Sequence, residues 1–324
     1  VPIKIPIWLK VSIFLLLLIA LPLVISEYRL NLLITMMIYS IFALSYNLLF
    51  GQGGLLSFGH AAYFGIGAYA NVILLKHLSV SLPTSILAGG LMGGLLGVVF
   101  GIFVVRMKGV SFALLTLAFN QLIYVVSEKW RQVTGGEDGL ACMRPNLNLG
   151  GIEVDLYGTV NWYYFVLLIT ILCVLTLWFL TRTPLGRLNL CMRENEERAK
   201  FIGYNTYASR LIIYIIAGFF AGIAGALASS FQEFVTTTYI NLDKATDVLM
   251  MTFIGGGGTF AGPIVGACAL TFINDLLSTW MERWAIVQGT LFILLVLYAP
   301  NGLSGLYLSV KYYFKNRQGD KTVR

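Results

Sequence analysis

Apolar runs of bilayer length recur along nearly the whole chain, separated by short segments that hold most of its charge. A helix needs about 20 such residues to cross the hydrocarbon core, and ten stretches qualify or nearly so, near residues 8–26, 30–50, 54–76, 84–105, 109–127, 161–181, 209–230, 243–256, 259–278 and 285–301. The expectation is an all-α, polytopic transmembrane bundle of about ten spans within residues 1–310, followed by a basic tail at 311–324. With 58% apolar and 11% charged residues among 324, a soluble globular domain is excluded. The net charge of +7 does not gather on one patch, as a nucleic-acid surface would require, so it marks topology instead. Both termini are expected in the cytoplasm, because that arrangement places 15 of the 22 Lys and Arg residues inside. The run from Val11 to Ile25 follows Lys4 and Lys10 as a secretory signal would, but no small-x-small cleavage site precedes Glu27, so it reads as an uncleaved first span.

One long charged segment, residues 182–210, separates two strongly apolar runs. Six of its residues are Lys or Arg, which assigns it to the cytoplasmic side. Within it, residues 194–201 are helix formers with Glu placed N-terminal to Arg and Lys, and Gly203 with Asn205 can end the helix. A short helix on the cytoplasmic face is expected. By charge alone it is a solvated positive-inside anchor.

Glycine patterns supply the next constraint. Gly89, Gly93, Gly97 and Gly101 recur every four residues in the fourth span, and Gly218, Gly222 and Ala226 repeat the pattern in the seventh. Such rows let helix backbones approach closely, which is how helices pack in lipid. Farther upstream, Gly51, Gly53 and Gly54 make a flexible turn, and Ser57 can cap the helix that follows. Ala61, Gly65 and Ala68 then share one helix face. His60 stands alone, with no carboxylate paired to it in sequence, and reads first as a hydrogen-bonded structural residue. Cys142, Cys173, Cys191 and Cys268 have neither paired nor metal-type spacing, so no disulfide framework, metal centre or cofactor is expected.

The run Gly51-Gln52-Gly53-Gly54-Leu55-Leu56-Ser57-Phe58-Gly59-His60-Ala61-Ala62-Tyr63-Phe64-Gly65-Ile66-Gly67-Ala68-Tyr69 closely resembles the signature of the permeases of branched-chain amino acid ABC importers, LivM-type subunits in particular. Residues 106–119, Thr134-Gly135-Gly136-Glu137-Asp138-Gly139-Leu140, the stretch 255–267 and the ending Ala299-Pro300-Asn301-Gly302-Leu303 agree with it, in the same order. The spacing of Glu197, Ala199 and Gly203 is similar to the coupling loop of such permeases. Together these cover residues 30–306.

The resemblance implies a multi-pass protein of the bacterial inner membrane that is not itself an enzyme. Its implied partners are a homologous permease, two ABC ATPase subunits and a periplasmic or extracellular amino-acid-binding protein, in addition to membrane lipid. The implied ATPase-coupling residues are Arg193, Glu194, Glu196, Glu197, Arg198, Ala199, Lys200 and Gly203. Ser57, His60, Ala61, Gly65 and Ala68, with Asn120 and Gln121 near an outer vestibule, are candidate lining for the translocation path. Lys129, Arg131 and Arg144, cations in the 127–161 loop on an otherwise acidic face, are candidates for docking the binding protein. A permease or channel for urea or short amides is the alternative. Two absences favour an ATP-driven subunit over a proton-coupled carrier or a self-contained pump. No span carries a central Asp or Glu, and Gly-x-x-x-x-Gly-Lys-Ser/Thr does not occur.

Overall fold

The computed structural model describes residues 16–305, apart from residues 79, 146, 150, 151, 282, 299–301 and 304. Residues 8–15 of the expected first span and the whole basic tail therefore lie outside the described residues. The long helices are α1 (Glu27–Leu49), α2 (His60–Leu78), α3 (Leu82–Val104), α4 (Gly109–Lys129) and α5 (Thr159–Arg182). Two short ones follow, α6 (Pro184–Glu194) and α7 (Glu196–Phe201), and then α8 (Thr206–Gln232), α9 (Leu242–Gly255), α10 (Gly262–Trp280) and α11 (Trp284–Tyr298). A helix stands at each expected span from the second to the tenth. Six of them, α1, α3, α4, α5, α8 and α10, are both long and apolar enough to cross a membrane by those measures.

α8 is the axis of the bundle, and its burial follows from its composition. Small residues on its surface admit neighbouring backbones, and dispersion contacts then replace the hydrophobic drive that lipid does not supply. The two glycine rows expected to pack do so against each other: a methyl group added at Gly222 would lie 2.4 Å from the Gly89 carbonyl, and one at Gly93 would lie 2.4 Å from the Gly218 carbonyl. α3 accordingly turns its glycines inward, while Leu87, Leu91, Leu95 and Ile102 are exposed. That is the pattern of a helix with one face on protein and the other on acyl chains.

α2 begins later than expected. Residues 55–59, assigned to a span by hydropathy, run without helix, and Ser57 accepts from the Gly59 N–H two residues on rather than capping α2. Other backbone groups there are satisfied by protein: Leu55 N–H donates to Leu49 O (2.8 Å) and Phe58 N–H to Thr116 Oγ1 (3.1 Å). Non-helical backbone at membrane depth survives under that condition.

At the end of the bundle away from α6 and α7, small β elements add to the all-α design. Leu140 and Ala141 pair antiparallel with Val235 and Phe234, tying the 127–161 loop to the exit of α8, and residues 147–149 pair antiparallel with residues 152–154.

Candidate functional site

The charged segment folds as two capped helices. Pro184 opens α6, and Thr183 accepts from the Gly186 N–H. Asn195 then interrupts the helix and restarts it, accepting from the Arg198 N–H at 3.0 Å. Gly203 ends the unit at φ +95° with open space around its Cα, a conformation that suits glycine. Leu188, Met192 and Ala199 close a small core between α6 and α7.

Ala199 is only 4% exposed, so it packs α7 onto α6 rather than facing outward. The outward surface consists of Glu197, Arg198 and Lys200, together with Phe201 (89% exposed), Ile202 (69%) and Tyr204 (53%). These last three were missed in the sequence, where an apolar end of a charged helix reads as part of its buried face. Beside them lies a groove of about 470 Å³ lined by Arg182, Arg187, Leu188, Glu194, Arg198 and Ile202, among others.

This unit is bonded to the bundle at two places. Asn189 donates to Leu48 O at 2.8 Å and Arg193 to Gly51 O, so α6 satisfies carbonyls at the exit of α1 and in the glycine turn. Gly51 in turn abuts the Gly257 carbonyl, which joins the turn after α9 to the same cluster. At the second place, Glu196 binds Lys108 at 2.5 Å, Arg210 at 2.9 Å and Lys200 at 3.1 Å, and accepts from Thr206 at 3.2 Å. Burial pushes the Glu196 carboxyl upward, but hydrogen bonds from Lys108 and Lys200 and the charge of Arg210 outweigh it, leaving the group at about 2. It is an anion at any ordinary pH, holding the loop before α4, α7 and the first turns of α8 together.

The residues expected to line a path are mostly packed. Ser57, His60, Ala61 and Ala68 have no exposure. His60 stacks on Phe42 and bonds Ser45 Oγ at 2.8 Å through Nε2, the structural role expected of it. Gly65 accommodates Ile240, and Asn120 donates to Ile240 O at 2.8 Å, whereas Gln121 is exposed. Of the three candidate docking cations, Lys129 and Arg131 are exposed. Arg144 is turned inward. It donates to Ser230 O, Phe231 O and Leu156 O at 3.1–3.2 Å and lies 4.3 Å over the Trp162 ring, closing the end of α8. A basic residue in a long loop looks exposed from its sequence. The unpaired carbonyls at a helix exit are what draw this one in.

A bundle of apolar helices with an amphipathic charged unit lashed to one end is the architecture of a multi-pass membrane protein. Residues 28–296 match the family described as branched-chain amino acid transport system / permease component, and the chain belongs to that family. It is 28% identical over 305 residues to the high-affinity branched-chain amino acid transport system permease protein LivM of Escherichia coli (strain K12), covering 88% of this chain and 72% of that protein. It is 25% identical over 314 residues to the probable branched-chain amino acid transport permease protein LivM of Methanocaldococcus jannaschii, covering 82% and 90%. The LivH permease of the same Escherichia coli system is 23% identical over 289 residues, covering 82% and 91%. No solved structure matches. The chain is thus a permease component, a multi-pass protein of the plasma membrane.

Proposed function

We propose that this chain is the transmembrane permease subunit of an ATP-driven importer for branched-chain or similar small hydrophobic amino acids. It works with a homologous permease, two separate ATPase subunits and an external binding protein. The family description favours amino acids over urea or amides. In this reading the chain crosses the membrane about ten times with both termini and the α6–α7 unit in the cytoplasm. The exposed Phe201-Ile202-Tyr204 end and the arginine-lined groove seat on an ATPase subunit. Lys129 and Arg131 remain as the docking cations for the binding protein.

The observation that carries this reading is the double attachment of α6–α7. A partner that displaces α7 pulls on α8 and the loop before α4 through Glu196, and on α1 and the glycine turns through Asn189 and Arg193. Nucleotide binding elsewhere thereby changes the relative stability of inward-open and outward-open bundles. The test is Phe201→Asp, which alters an exposed side chain and leaves the small core intact. Membrane insertion should be normal, ATPase subunits should no longer co-purify, and amino acid uptake should be lost. Retained co-purification together with normal uptake would reject the coupling assignment.

A further inference from the structure

At the end of the bundle opposite α7, a lysine and an aspartate one helical turn apart stand between two cavities. Lys244 and Asp247 lie near the start of α9, with Lys244 Nζ 2.8 Å from the Tyr39 hydroxyl and 3.7 Å from Asp247 Oδ2. One cavity, about 300 Å³, is bounded by α1, α2, α8 and the start of α9; the other, about 610 Å³, lies between α1, α9 and α10. Tyr39, Lys244 and Asp247 line both.

The geometry points to a binding site for a zwitterion, an α-amino acid with an apolar side chain, at Lys244, Asp247 and Tyr39. This inference rests on the proposed importer function and adds a substrate site within the permease itself. Three features support it. First, the two charges stand 3.7 Å apart with a cavity on each side, and Asp247 Oδ1 accepts a hydrogen bond of 3.3 Å from Gln288, whereas Glu196 is held by three cations within 3.1 Å; the looser pair retains capacity for a ligand. An α-amino acid carries its ammonium nitrogen and carboxylate oxygens roughly 3 Å apart, a spacing that matches one carboxylate and one ammonium of the protein set side by side. Second, the wall of the smaller cavity is aromatic: Phe64 stacks on Tyr239 at 5.6 Å and meets Tyr39 at 6.5 Å, giving an apolar side chain a surface to cover. Third, the larger cavity is lined by Thr271, a residue 8% exposed whose buried hydroxyl has no hydrogen-bond partner among the described residues. Thr271 shares the lining of that cavity with the charged pair, and a hydroxyl left without a partner there is what a polar ligand, with a small shift of the threonine, would complete.

The position also suits the mechanism. α9 is about 21 Å long at 1.5 Å per residue, with this pair near its first turns and Gly255 at its other end. The turn after Gly255 abuts Gly51, the residue to which Arg193 donates. Occupancy of the site and movement of α6 therefore bear on opposite ends of one short helix.

The experiment uses the complete importer in proteoliposomes, with L-leucine as the probe and hydrolysis of ATP stimulated by the liganded binding protein as the measure of assembly. Lys244→Met and Asp247→Asn should each lower leucine uptake about tenfold more than they lower stimulated hydrolysis, since each removes one charge that would pair with the ligand. The double variant K244M/D247N decides between binding and structure. Uptake that remains low with hydrolysis sustained supports the site, whereas recovery of uptake shows a structural ion pair and overturns it. Uptake and hydrolysis falling in parallel in the single variants also overturns it. A wild-type complex that moves a solute other than amino acids removes the functional reading and this site with it, a result distinguishable because it appears before any substitution.

Discussion

Two charge clusters sit at opposite ends of the bundle and are built in contrary ways. Around Glu196, three cations and a threonine close on one carboxylate within 3.2 Å. Around Asp247, one ammonium stands off at 3.7 Å and the Gln288 amide donates at 3.3 Å, with a cavity on either side. The first cluster borders a cavity of about 410 Å³, but its carboxylate is already taken up by close partners that join three segments of the chain. The second holds its carboxylate and ammonium farther apart, so a ligand can engage both. Identical side-chain chemistry thus yields a joint where neighbours saturate the charge and a candidate receptor where they do not.

That contrast can be broken most forcefully at the joint. Glu196→Ala leaves Arg210, only 8% exposed, without its partner, and stranding a buried charge costs about 3–5 kcal/mol. The expected result is a large fall in the melting temperature of the detergent-solubilised protein and loss of uptake, while Glu197→Ala, on the exposed side of the same helix, changes stability by no more than about 0.5 kcal/mol. Equal effects of the two would show that the joint carries no load.

A smaller effect sharpens the comparison through pH. The Glu196 carboxyl is held at about 2 against an ordinary value of 4.5. A depressed carboxyl contributes stability that is complete above its unfolded value and drains as pH falls toward its folded one. Acid titration of thermal stability should therefore show a decline between about pH 4.5 and 2 that Glu196→Gln flattens. An unchanged acid limb in that variant would mean the cluster is already open to solvent.

The smallest change in stability is expected outside both clusters. Lys129→Glu with Arg131→Glu alters two exposed side chains and should shift stability within about 0.5 kcal/mol, while weakening the stimulation of ATP hydrolysis by the binding protein. Undiminished stimulation would leave those cations as ordinary surface charge.

Much of the helical layout was legible because the signals are local. Spans declare themselves by runs of apolar residues, and the glycine rows of α3 and α8 by a four-residue spacing. α7 showed itself through Glu-to-Lys pairing and a terminal glycine, whereas α6, over Pro184–Glu194, did not, and Asn195 interrupts the single helix expected there. What was not legible has one cause. Ala199 packs against Leu188 and Met192, Arg144 turns inward to close α8, and residues 55–59, expected to be helical, are held by Thr116 and Leu49. Each depends on a partner distant in sequence or on a face that periodicity leaves undefined over so short a helix.

What the sequence determined by itself was the solvent this chain must inhabit and the helices that solvent demands, because an apolar run in lipid has almost no other way to satisfy its backbone. Which glycines meet which carbonyls was left to the tertiary structure, as was the choice of charge to be clamped and charge to be left with room. The energies that choose among partners are short-ranged and directional, and they exist only once helices far apart along the chain have been brought within a few ångströms of one another.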